Sequence, residues 1–182
     1  MITDDVEIRL ARADDAVGIA DVHTRSWQQG YAGLLPADFL ARRTVDSEVW
    51  RARLAAPEGT TTIVAANEDV IGFCTVGPLR PPPDGGPQVG QLYAIYLLAE
   101  HWGRGVGRAL HDAGLQALAD AGYVEAVLWV LATNERTIGW YRRQGWEDTG
   151  TVIDDDCEGL ALPLRLMQMR TLAAYATRSQ VS

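Results

Sequence analysis

At 182 residues, with 47% hydrophobic and 22% charged residues, the chain has the size and composition of one globular domain with a buried core. A net charge of −8 argues against non-specific nucleic-acid binding, which runs on basic surface, and no apolar run approaches the ~20 residues of a membrane span. Two cysteines, Cys74 and Cys157, make neither a disulfide framework nor a zinc pattern.

The acidic N-terminus MITDDVEIRL lacks the apolar segment of a secretory signal. With the sparse cysteines, that points to a reducing cytoplasm. Val6, Ile8 and Leu10 alternate with Glu7 and Arg9, which predicts a first strand over 6–11. Asp14 or Asp15 can cap the helix that follows. On that helix Ala16, Ile19, Ala20, His23 and Trp27 share one face. His23 there reads as a satisfied, partly buried histidine rather than a base. The helix runs out at Gln28-Gln29-Gly30. Pro36 suits the first turn of a short helix near 37–42, and a further helix is expected near 46–56. Thr61–Ala66 and Val70–Val76 are β-rich runs joined by Asn67-Glu68-Asp69, a hairpin. The stretch 78–90, PLRPPPDGGPQVG, is too rich in proline and glycine for helix or central strand. It is expected to be a long connection at the mouth of a site.

Residues 91–110 carry the densest chemistry. Leu92, Ile95 and Leu97 read as a buried strand over 91–98, and the turn Gly103-Arg104-Gly105-Val106-Gly107 follows. A helical pattern then begins with Val106, Leu110, Ala113, Ala117 and Ala121. The first amides of a helix have no internal partner, and the helix dipole adds positive partial charge there. Glycines let a phosphate approach the backbone, and Arg104 and Arg108 add charge. The stretch is therefore a candidate phosphate cradle, with a plain tight turn as the bland alternative. A dinucleotide fingerprint needs a third glycine where Leu110 or Arg108 stands. A nucleotide P-loop needs Gly-Lys-Ser/Thr where the chain has Gly-Arg-Ala.

Gly122 ends the helix, and Val124–Leu131 is an apolar strand buried on both faces. Asn134 can cap a short helix that Gly145 terminates. Residues 146–153 read as a strand, 154–160 (DDDCEGL) as an acidic loop and 162–170 as the last strand. The final dozen residues show no strong pattern. There is no internal repeat. One domain over 1–170 with a tail over 171–182 is expected.

The glycine turn resembles the acetyl-CoA signature of the GNAT N-acetyltransferase superfamily, Arg/Gln-x-x-Gly-x-Gly/Ala. Gly105 and Gly107 take the glycine positions, and Trp102 stands where the family has Arg or Gln. The segment from Asn134 through Tyr141 to Gly145-Trp146 resembles a second family element. The resemblance implies an α/β (α+β) single-domain fold: a mixed, mostly antiparallel sheet of about seven strands, splayed centrally, with helices on both faces. It implies acetyl-CoA bound by Ile95, Tyr96, Leu97, Trp102, Gly103, Arg104, Gly105, Val106, Gly107, Arg108, Asn134 and Tyr141, with pantetheine pairing to the backbone of Ile95 and Leu97. It also implies an acceptor amine, of a small molecule or peptide, near Trp27, Tyr31 and Tyr93, although Trp27 and Tyr31 suit core packing at i and i+4 equally well. Tyr141 is the implied acid for the leaving thiolate. Where relatives often carry an acidic residue before Leu92, this chain has Gln91, which leaves Tyr93, Glu100, His101, Asp154–Asp156 or a water path as base. Glu100 and His101 lie close to the glycine turn, which counts against them. No metal is implied, and homodimers are common in such folds. The other readings are a CoA-binding sensor without turnover and, more weakly, a dinucleotide redox enzyme.

Overall fold

Seven strands form one sheet: β1 (Glu7–Leu10), β2 (Thr61–Ala66), β3 (Val70–Pro78), β4 (Val89–Leu97), β5 (Glu125–Leu131), β6 (Glu147–Cys157) and β7 (Leu160–Met169). Their spatial order is β1-β2-β3-β4-β5-β7-β6. Every neighbouring pair is antiparallel except β4 with β5. That one parallel pair needs a long crossover, and α4 (Val106–Asp120) supplies it. The remaining helices are α1 (Ala16–Gly30), α2 (Ala37–Arg42), α3 (Ser47–Ala55), α5 (Glu135–Arg143) and α6 (Ala173–Ala176). The computed structural model describes residues 5–80 and 88–176. The expectations for the extreme N-terminus, most of the 78–90 connection and the end of the tail fall at 1–4, 81–87 and 177–182, outside the described residues.

Strand alternation sends side chains to two cores. On one face Ile19 and Val22 of α1 and Trp50 of α3 pack on Val64 and Phe73. On the other, Leu110, Leu115 and Leu118 of α4 pack on Ile63, Ala65, Cys74 and Leu128. The period of two along β2 (Ile63 and Ala65 one way, Val64 the other) lets a sheet covered on both faces seat helices on each side. Gly114 brings α4 close: a Cβ there would sit 2.8 Å from Cys74 Sγ.

Two expectations change. Asp15 does not cap α1 with its side chain; its carboxylate takes Arg9 through two bonds of 2.7 and 2.8 Å and the Arg12 N–H at 2.6 Å. A bidentate guanidinium outcompetes a single helix amide. Asp154–Asp156 are not a loop but part of β6, paired to Pro163, Leu162 and Ala161. The turn lies instead at Glu158 and Gly159, both at positive φ (56° and 83°). An outermost strand with solvent on its free edge tolerates charge, so composition alone misplaced it.

Candidate active site

A cleft opens where β4 and β5 part. Their pairing runs from Val89↔Glu125 to Leu92↔Leu128 and stops. At that point β4 carries one extra residue, Tyr93, between Leu92↔Val76 and Ala94↔Thr75 in its register with β3. A bulge bends the strand and raises its twist, which turns β4 away from β5. Beyond it β4 keeps β3 as far as Leu97↔Gly72, while β5 keeps β7 as far as Leu131↔Leu164. Leu98 N–H donates toward β3, to Ile71 O at 3.0 Å. By alternation, the N–H and C=O of Leu97 and Ile95 face the gap. Backbone groups left in a gap need a partner.

The glycine turn closes one end of the gap. Gly103 and Gly105 adopt positive φ (77° and 86°), and Gly105 is the residue just before α4. A Cβ at Gly103 would point into open space. Trp102 precedes the turn and donates its indole N–H to Leu97 O at 2.9 Å. The Arg136 guanidinium stacks on the Trp102 ring, 3.9 Å from its centroid. Asn134 caps α5 by accepting from the Thr137 N–H at 3.1 Å.

The cleft measures about 500 Å³. The structure brings most of the expected residues to it: Tyr31, Tyr93, Ile95, Tyr96, Leu97, Trp102, Gly103, Gly105, Gly107, Arg108, Asn134 and Tyr141 line the walls. Three do not line it. Val106 is buried in the α4 core, the Arg104 side chain is exposed and off the cleft, and Trp27 lies behind the wall. Trp27 meets Tyr31 edge-on at 4.8 Å and donates its Nε1–H to the Tyr96 hydroxyl at 2.9 Å. Of that pair Trp27 packs and Tyr31 faces the cleft.

Burial pushes the phenols of Tyr141, Tyr96 and Tyr31 upward, the last also through Tyr96. They are protonated across the neutral range. None of the carboxylates weighed as bases is on the walls. Glu100 pairs with Arg25 at 2.7 Å, and Asp154–Asp156 lie on the outer strand. Neither Gln91 nor His101 lines the cleft. His23 is not satisfied as expected. Its Nδ1 is buried without a partner among the described residues, and the ring stacks on Tyr96 with centroids 5.0 Å apart. Burial, with Arg43 and Arg53 nearby, pulls it down to about 4.

Sequence reasoning missed several wall residues: Ser26, Trp129, Arg136, Trp140 and Arg143. Ser26 Oγ is buried with no partner among the described residues. A signal for the last three existed, because Arg136, Trp140 and Arg143 recur at i, i+4 and i+7 on one face of α5. Among the described residues, no group of three or more His, Cys, Asp or Glu side chains is placed to hold a metal, and no helix is long and apolar enough to cross a membrane.

Residues 20–146 match the model of the acetyltransferase (GNAT) family. The chain is 33% identical over 135 residues to YuaI, an uncharacterized N-acetyltransferase of Bacillus subtilis (strain 168), covering 73% of this chain and 76% of that one. It is 27% identical over 152 residues to mycothiol acetyltransferase of Rhodococcus jostii (strain RHA1), covering 81% of this chain but only 47% of that protein. In fold it is similar to YncA, a putative acetyltransferase of Salmonella typhimurium solved with acetyl-CoA, with a TM-score of 0.70, 23% identity and coverage of 92% and 94%. It is also similar to the PaiA N-acetyltransferase of Thermoplasma acidophilum solved with coenzyme A, with a TM-score of 0.68, 18% identity and coverage of 91% and 98%.

Proposed function

From the premise that this chain belongs to the GNAT acetyltransferase family, we propose that it is an acetyl-CoA-dependent N-acetyltransferase that acetylates a primary amine of a small molecule or peptide by direct attack. The observation that carries the reading is the gap itself. It brings together β4 backbone that β5 no longer pairs, a glycine turn at a helix start and a buried phenol, three features that no packing role requires together.

The walls fit the cofactor. The open side of Gly103 and the helix-start amides after Gly105 suit a diphosphate. The Ile95 and Leu97 backbone suits the amides of pantetheine. When bound, the thioester supplies the acetyl group. The chain's own part is to align, polarise and reprotonate. The Leu97 N–H faces the gap and can donate to a developing oxyanion. Tyr141, held protonated by burial, can give its proton to a leaving thiolate. Among the described wall residues the ionisable groups are phenols and guanidiniums, so the amine must lose its proton to water or before it enters.

The test is calorimetric titration with acetyl-CoA of the parent and of Gly105→Glu, which adds a side chain and a negative charge at a residue of positive φ. Binding by the parent alone is expected, followed by thiol release in an amine screen. Absence of binding by the parent would overturn the reading. The walls' want of a carboxylate favours one second reading, a CoA-binding module without turnover. Bound acetyl-CoA with no thiol released by any amine would decide for it.

A further inference from the structure

The chain is acidic overall, and most of its arginines are tied to carboxylates. Two that line the cleft are not. Arg136 has the Trp102 ring as its partner, and Arg143 pairs with no carboxylate among the described residues. Both lie on the α5 face that carries Trp140. Arg143 folds back along the helix: a Cβ added at Gly139 would lie 3.6 Å from its Nη1. Both guanidiniums therefore belong to the same face of α5 and the same cleft wall. Trp102 binds Leu97 with its indole edge and Arg136 with its face, so it ties one of these cations to the start of the glycine turn.

Uncompensated guanidiniums gathered on a cleft wall, in a chain of net charge −8, are an anion site. We propose that Arg136 and Arg143 form a phosphate-binding arm for the nucleotide half of coenzyme A, with Trp102 as the residue that positions Arg136. Trp102 stands where the resembling signature has Arg or Gln; its indole carries no charge and holds one that arrives from α5. Glycine-turn amides would meet the phosphates from one wall and the arm from the other. The inference rests on the proposed cofactor reading.

Two phosphate sources are present in the ligand, the diphosphate and the ribose 3′-phosphate. The experiment separates them by titrating coenzyme A and 3′-dephospho-CoA into the parent, Arg136→Ala, Arg143→Ala and the double variant. Arg142→Ala, whose arginine pairs with Asp148 away from the cleft, is the control for net charge. Each cleft variant is expected to weaken coenzyme A by about tenfold, the size of one charge-assisted bond, with the melting temperature kept. Equal losses for both ligands assign the arm to the diphosphate, and a loss confined to coenzyme A assigns it to the 3′-phosphate. Arg136→Lys should restore less than half of the lost affinity, because an ammonium lacks the planar stack on Trp102. A double variant that binds coenzyme A within about twofold of the parent would overturn the arm alone, as would an equal loss in Arg142→Ala. A parent that binds neither ligand would overturn the cofactor reading beneath it.

Discussion

Trp102 and Leu97 are joined by a hydrogen bond of 2.9 Å from indole N–H to backbone carbonyl, five residues apart and on the open side of β4. The bond ties the entry of the glycine turn to the last residue of the strand. It also takes the Leu97 carbonyl, which an incoming amide would otherwise find empty. Leu97 thus offers the cleft its N–H rather than both of its groups.

Trp102→Phe removes that bond and keeps an aromatic face for Arg136. Acetyl-CoA should bind about fivefold more weakly, the worth of one net hydrogen bond in a tethered turn. Calorimetry reads it directly. Tighter binding would mean that the indole competes with the ligand for the Leu97 carbonyl.

Tyr141→Phe keeps the ring in the core and removes the proton. Turnover should fall by about a hundredfold while acetyl-CoA affinity stays at the parent value. Because burial raises the Tyr141 phenol, the parent should show no alkaline loss of rate from this group up to the ordinary tyrosine range near 10. Steady-state thiol release as a function of pH checks both statements. An unchanged rate in the variant would remove Tyr141 from the mechanism.

Gly114→Leu strikes the contact between α4 and β3, where a Cβ would lie 2.8 Å from Cys74 Sγ and 3.1 Å from Val76 Cγ1. Overpacking of this kind costs about 1–3 kcal/mol. A chain of this length should then lose roughly 3–10 °C of melting temperature. Gly30→Ala is the contrast: no atom lies within 4 Å of the added methyl, and its stability should match or slightly exceed the parent. Differential scanning calorimetry of the pair compares them.

His23 makes stability depend on acid. Its ordinary value is 6.5, and in the folded chain it falls to about 4. Between these the unfolded chain binds more protons, so stability rises with pH across the window and is lost as pH falls from 6.5 toward 4. The whole window is worth about 3 kcal/mol at most. His111, fully buried, is also lowered by burial and acts in the same direction. Urea denaturation at pH 7 and pH 4.5 should show the loss, and His23→Phe should shrink it. An equal acid loss in that variant would place the effect elsewhere, first at Asp15, whose Arg9 partner holds it below the usual carboxylate range.

What the sequence made legible was local. The strand, glycine turn and helix over 91–120 are contiguous, and their residue types force positive φ at Gly103 and Gly105. Asn134 marks the start of α5 by its side-chain cap and Gly145, at positive φ, its end. Whatever depends on partners far along the chain stayed hidden. Arg136 meets Trp102 across 34 positions, and no pattern within either segment predicts the stack. Asp15 reads as a cap until Arg9 is seen to take its carboxylate. The extra residue at Tyr93 is invisible because a bulge changes register without changing composition.

Asp154, Asp155 and Asp156 lie side by side on β6, the outermost strand at their end of the sheet. A strand in that place offers a row of unpaired amides to any passing chain. Here the invitation is withdrawn. An antiparallel copy of β6 docked about Asp155 would set three carboxylates against three, with Val152 and Ile153 half-exposed beside them. Like charges directly opposed repel, which disfavours extension of the sheet by a second copy in that register.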